Sequence, residues 1–406
     1  MTQAISLGEE ERVEPGENRV ERTIAPLPFI SFGFALALVC GTIWANDLVS
    51  PALPAIKDDF GLSAKGMGLV VSFLFVGRLL GNFPAMRFLE TIGAPRTGSI
   101  GGLVLVAGSI TNALAPNPEV LYLGRVLQGV GISLLVNAGM RSILFARPGR
   151  GDAMTIYGIA STSGSVIGLV SSGLLTGAFG WRTIFALAAA LGVVLTLLPI
   201  ASTRVARRAT HPTAAVPAAV VMVPLRTYLV PLAVNFLIFC NYSVWTILPL
   251  YAEHRFDAGP GMTANLLLVI TIMHLAAAVP VSRAIRRFGS SVVLAVSVVV
   301  AMIGSIGILL APSVWALAVP LMFYGAGMVG SVNCAGDIVL HRGGAGSRAV
   351  GTLRQTSDLG LVVGPLAAGS MIDAISYDAP FIAFPILMVA AALGVQLSTM
   401  RSLRSS

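Results

Sequence analysis

Twelve apolar runs, each about twenty residues long, follow one another along the chain. They lie near 27–50, 66–87, 98–116, 119–145, 152–177, 181–202, 227–251, 262–284, 290–311, 315–340, 348–374 and 378–400. A run of that length crosses a hydrocarbon core of ~30 Å as an α-helix, a conformation that answers its own backbone polar groups where lipid cannot. A membrane β-barrel would show alternating segments of about ten residues, and the chain has none. Composition agrees: 55% of residues are hydrophobic and 11% charged, against about 25% charged in soluble proteins. The expected fold class is an all-α membrane protein with twelve transmembrane helices.

Orientation follows from the cations. Of the 26 Lys and Arg, 20 fall on one side of these spans. Four (Lys57, Lys65, Arg182 and Arg255) fall on the other, and Arg78 and Arg125 lie within runs. This asymmetry places both termini in the cytoplasm of a cell (inner) membrane, and it accounts for the net charge of +8 without nucleic acid. The first 25 residues, with "LGEEERVEPGENRVER", are too acidic for a secretory signal and read as a disordered cytoplasmic tail. The three cysteines, Cys40, Cys240 and Cys334, all fall in apolar runs, with no CxxC or Cys/His cluster. Neither a disulfide framework nor a metal site is expected.

The chain also repeats. Shifted by 196 residues, "GSITNALAP" (Gly108–Pro116) lands on "GSIGILLAP" (Gly304–Pro312), and Asn137 lands on Asn333. Gly129 and Gly131 meet Gly325 and Gly327; Gly164, Gly168 and Gly173 meet Gly360, Gly364 and Gly369. Of 17 glycines between Gly93 and Phe185, 7 meet glycine, where the overall frequency of 44 in 406 would give about 2. Small residues let helix backbones touch in lipid, so these glycines, with Pro365 beside Gly364, read as packing positions. The expected organisation is two pseudo-symmetric six-helix bundles, 26–203 and 227–400. A basic, Ala/Pro-rich cytoplasmic linker (204–226) joins them, and short tails (1–25 and 401–406) flank them. A site at the interface of such halves lies near the bilayer midplane.

"RVLQGVG" (Arg125–Gly131) resembles the helix 4 pattern RxxQGxG of the major facilitator superfamily. "GSVIGLVSSG" (Gly164–Gly173) resembles its helix 5 antiporter pattern GxxxGPxxGG, with Leu169 for the proline and Ser172 for one glycine. "GWRTIF" (Gly180–Phe185) matches the usual start of helix 6, and "NDLVSPALPAI" (Asn46–Ile56) resembles the end of helix 1 in the drug:proton antiporter branch. In "MRFLETIGAPR" (Met86–Arg96), Glu90 and Gly93 keep part of the loop pattern after helix 2, and "SRAIRRFGSS" is its second-half partner. The resemblance covers essentially the whole chain. It implies the major facilitator fold and secondary transport, probing toward export of a drug or metabolite against protons.

A charge at mid-membrane costs at least about 2.5–3.5 kcal/mol, so Arg125 must face the interior and find a partner. Asp47, on the first run, is the acid expected to answer it. The resemblance implies that such a pair couples proton loading to solute binding; the alternative is a fixed structural pair. Arg78 falls on His274 under the same 196-residue shift. Either the two meet across a cavity and hold an anion, or Arg78 packs against carbonyls or Gln128 while His274 is a satisfied neutral residue. Asn137 and Asn333 add polarity, and aromatics such as Tyr242 and Trp245 are candidates for a pocket wall. At the cytoplasmic face, Arg286 or Arg287 with Asp337, and Glu90 with Arg141, are candidate latches; Arg354 and Asp358, four residues apart, read as a local pair. The alternative for each is ordinary surface pairing, worth about 0–1 kcal/mol.

The function expected is secondary active transport of a small organic solute by alternating access, coupled to protons and directed outward. Uptake or exchange of an anionic metabolite is the second reading, and a membrane receptor without flux the third. An enzyme is not expected, because the four scattered histidines build no HExxH set and no GxxxxGK[ST] loop is present. The partners expected are the solute, protons and membrane lipid, with no nucleic acid and no cofactor, for a chain acting as a monomer.

Overall fold

Two of the twelve apolar runs do not stay single helices. In the computed structural model, which describes residues 29–146, 150–206, 229–343 and 347–404, the first run is α1 (Phe29–Asp47), a 3-10 turn (Ser50–Ala52) and α2 (Leu53–Phe60). The seventh is α8 (Leu229–Asn241) and α9 (Val244–Phe256). The other runs are α3 (Ala64–Thr91), α4 (Gly93–Ala113), α5 (Pro118–Ala146), α6 (Arg150–Phe179), α7 (Arg182–Ala206), α10 (Pro260–Phe288), α11 (Ser290–Leu310), α12 (Ala318–Gly343), α13 (Ser347–Ala374) and α14 (Ala379–Arg404). Among the described residues, 9 helical segments are long and apolar enough to cross a membrane. The tail at 1–25 and most of the 204–226 linker lie outside the described residues.

The first break has a local cause. Pro51 and Pro54 in "SPALP" carry no N–H, so the carbonyls of Asp47 and Ser50 lose their helical partners. The Ser172 hydroxyl from α6 donates to the Leu48 carbonyl beside this turn. The second break has no proline at the turn. There the chain tightens through Ser243 N–H to the Cys240 carbonyl (3.0 Å) and Thr246 N–H to the Ser243 carbonyl (2.7 Å). Asp47 and Ser243 are 196 residues apart, so both kinks sit at one position of the repeat.

Each half builds its own core. One apolar cluster draws mainly on α1–α7, including Leu74, Leu105 and Phe185; the other draws mainly on α8–α14, including Tyr251, Met328 and Phe381. The glycines explain how closely the helices approach. A Cβ at Gly129 would overlap the Leu74 carbonyl, and one at Gly325 would meet the Ile270 carbonyl. Gly131 abuts Leu105, and Gly327 abuts Ala301; Gly164 abuts Cys40, and Gly360 abuts Phe236. Gly168 and Gly364 lie against Trp44 and Cys240. Every partner pair again differs by 196, so the repeat in the letters is a repeat of backbone contacts. Gly93 and Gly289, also repeat mates, carry φ of +79° and +80° at the sharp turns that open α4 and α11, a region that suits glycine.

The halves meet along two seams, α3 with α13 and α6 with α10. At the face opposite the termini, Gly68 lies against Pro365, Gly369 against Ala64, and Gly173 against Gly261 and Ala264. The Asp373 carboxylate accepts from the Ala64 and Lys65 N–H groups at 3.0 Å each, capping α3 from the other half. We expect Gly129→Ala to lower the melting temperature in detergent, at the scale of about 1–3 kcal/mol for overpacking. Gly158→Ala should be near wild type, because nothing lies within 4 Å of a Cβ at that position; equal melting of the two variants would refute the packing role.

Candidate functional site

The two kinks face one another across a cavity of about 450 Å³, within the usual range of small-molecule sites. Both halves line it at matched positions: Ile43 with Phe239, Asn46 with Tyr242, Val49 with Trp245, and Arg78 with His274. Asp47, at the end of α1, is 8% exposed and lines the cavity. Its Oδ1 accepts from Asn46 Nδ2 at 2.7 Å. Ser165 and Arg78 both lie close enough to act on the charge of the same carboxyl.

Arg125 faces the interior, 1% exposed, and reaches the cavity wall. The expected pair with Asp47 is corrected. Its Nε donates to the Val70 carbonyl (3.1 Å) and its terminal nitrogen to Gln128 Oε1 (2.7 Å). Gln128 Oε1 also accepts from Asn112 (2.9 Å), and its Nε2 donates to Ser109 (2.9 Å). Among the described residues no carboxylate lies within ion-pair distance of Arg125. Neutral dipoles hold the charge, and Gln128 is their hub.

Arg78 takes a partner the sequence did not single out for it. It pairs with Asp358 of α13 at 3.2 Å, across the interface of the halves. Asp358 is 2% exposed and lies inside α13, so its expected local pairing with Arg354 is also corrected. Asn82, one turn after Arg78, donates to Asp358 at 3.0 Å and accepts from Ser133 (2.7 Å) and Asn137 (3.2 Å). Arg354 donates to Asn137 Oδ1 at 3.0 Å, a further link between the halves. Ser72 adds another, to the Val362 carbonyl at 2.6 Å.

His274 does not meet Arg78. It stacks on Trp245 at 10° between planes, and its Nδ1 lies 3.3 Å from the Tyr242 hydroxyl. Asn333 is exposed and lies off the cavity, and Gln128 and Asn137 sit behind its wall. Of the latches expected at the termini's face, Asp337 accepts from the Ser290 hydroxyl rather than from Arg286 or Arg287, which are exposed. Among the described residues the ion pairs are Arg78–Asp358 and Arg182–Asp59; neither joins Glu90 to Arg141. Asn82, Ser133, Ser165 and Asp373 were missed; only Asn82 carries a signal, as a second polar residue one helical turn from Arg78 inside an apolar run.

The family model of the Major Facilitator Superfamily matches residues 32–353. The chain belongs to the Major Facilitator Superfamily. A puromycin resistance protein of Streptomyces alboniger is 35% identical over 153 residues, 36% of this chain and 29% of that protein. A lincomycin resistance protein of Streptomyces lincolnensis is 34% identical over 142 residues, 34% of this chain and 29% of that protein. The galactose-proton symporter of Escherichia coli K12 is 30% identical over 151 residues, 36% and 32% of the two chains. The chain thus matches about a third of the length of these curated relatives. Solved structures share the fold over nearly the full length: the nucleoside transporter NupG (TM-score 0.71, 12% identity, 91% of this chain and 98% of that one), and a bacterial homologue of the human lysosomal transporter Spinster, inward-facing and occupied (0.73, 15%, 92% and 97%).

The cross-half pair makes a measurable prediction. Arg78→Gln and Asp358→Asn should each lower thermal stability in detergent, and the double variant should lose less than the sum, with a coupling of about 0.5–3 kcal/mol. Strict additivity would show that the two charges do not act on each other.

Proposed function

We propose that this chain exports a small organic solute in exchange for protons by alternating access of its two halves. The observation that carries this reading is Asp47, a nearly buried carboxylate at a helix kink, lining a solute-sized cavity between the halves. A carboxylate there has two competing occupants. Ionised, it holds a donor group of the solute with Ser165 and Asn46; protonated, it loses its charge and the hold weakens. Arg78 lies between Asp47, on which its charge acts, and Asp358, to which it is bound. Loading Asp47 with a proton therefore leaves Arg78 to Asp358 and strengthens the link between the halves.

The count of cations supports a cytoplasmic location for the termini's face in a cell membrane, and the split of the cores supports 26–203 and 227–400 as the moving bodies. The names of the two resistance proteins support export, and that of the galactose-proton symporter supports proton coupling. The last also keeps uptake as the competing direction. Sided proteoliposomes with an imposed pH gradient separate the two. Solute should move against the proton gradient's direction, and Asp47→Asn should reduce proton-driven flux at least about tenfold, the effect of losing roughly 1.4 kcal/mol of coupling. Undiminished flux in that variant removes Asp47 from the mechanism; flux in the same direction as protons makes the chain a symporter.

A further inference from the structure

The repeat shows how the cavity's two walls have diverged. Tyr242, Trp245 and His274 stand where the first half holds Asn46, Val49 and Arg78. One wall keeps the charge, and the other is ring upon ring. Tyr242 lies 5.8 Å from His274 and 5.9 Å from Trp245 between ring centroids, and Phe239 stacks behind Tyr242 at 18°. Trp245 and His274 are tilted to Tyr242 by 31° and 39°, so the wall is a faceted aromatic surface, against which an aromatic ring packs better than an aliphatic chain or a sugar does.

Three buried polar atoms in the cavity's lining residues have no partner: His274 Nε2, Asn46 Oδ1 and Ser161 Oγ. Buried polar groups are nearly always answered, so each asks what answers it. His274 Nδ1 is engaged with the Tyr242 hydroxyl, which leaves Nε2 to donate or to accept according to the ring's tautomer. The Asn46 amide nitrogen donates to Asp47, which fixes the amide's orientation, and its unpartnered oxygen is an acceptor. Ser161 can serve as either. An imidazole nitrogen, an amide oxygen and a hydroxyl beside a stacking face match a ring whose edge carries both donors and acceptors.

We propose that the solute bears a planar nitrogen heterocycle. Its face lies on Tyr242, Trp245 and His274, and its edge is read by His274, Asn46 and Ser161. This rests on the reading of the cavity as the solute site, and it narrows that site to a chemical class. Trp245 supplies the platform, and His274 supplies both ring and edge contact. A greasy cation without hydrogen-bonding edges would use the platform alone.

Calorimetric titration of the purified full chain in detergent tests this with adenosine, cytidine, nicotinamide, galactose and tetraphenylphosphonium. At least one heterocycle should bind, with affinity falling tenfold or more in both Trp245→Leu and His274→Phe, the latter keeping a ring and losing the nitrogens. Galactose should not bind, and any binding of tetraphenylphosphonium should be indifferent to His274→Phe. The proposal is overturned if no heterocycle binds, if galactose binds as tightly, or if His274→Phe leaves heterocycle affinity unchanged. Binding is read without a proton gradient. A solute of another class that drives proton movement sensitive to Asp47→Asn would overturn the ring reading and leave exchange transport standing.

Discussion

A guanidinium among apolar helices must be answered from inside the protein, and the interior is arranged around two that are answered differently. Arg125 is held by an amide and a carbonyl, which are dipoles without net charge. Its charge is therefore left to act on whatever enters the cavity. Arg78 is neutralised by a carboxylate of the other half. The first cation belongs to one body; the second is shared between two. Burial of a pair is weak evidence for stability, because desolvation offsets attraction. What this pair does is join the charged wall of the cavity to the other half.

The glycine contacts give these halves their stiffness. Where a carbonyl of one helix rests on the Cα of another, the glycine itself offers no side chain to rearrange, and the backbones pack directly. The same contacts recur at the same offset in both halves, so the two bodies are matched in packing while their cavity walls differ. Packing has been retained under duplication, and chemistry has separated: the carboxylate and both cations on one side, the stacked rings on the other.

Much of this was legible in one dimension. The twelve spans follow from run length, the two halves from the repeat, and the inward aspect of Arg125 from the cost of its charge. The kink after Asp47 is written in Pro51 and Pro54. The kink at Tyr242–Ser243 is not, since no proline or glycine marks it, although its position is the repeat image of the first. Partner choice was the least legible. Asp47 was expected for Arg125 because both are charged and lie in one half, yet Gln128, one turn away on the same helix, reaches it first. Asp358 was assigned to Arg354 by proximity in sequence. A pairing across the interface is decided by which helices of two separate bundles come to lie side by side, and an internal repeat relates equivalent positions without saying which of them touch.

One asymmetry of the interface has a mechanical meaning. Hydrogen bonds accepted by Asp373 and Asp358 and donated by Ser72 and Arg354 stitch α13 to the first half, chiefly α3. Their repeat images on the opposite seam are Gly177, Leu268, Thr162 and Gly158, and no hydrogen bond or ion pair joins α6 to α10 among the described residues. Each stitch costs on the order of 0.5–1.5 kcal/mol to undo, whereas small apolar surfaces slide apart at no such cost. The molecule is bound like a book, with a sewn spine along α3 and α13 and an unsewn fore-edge along α6 and α10, where small residues such as Gly173 and Ala264 meet.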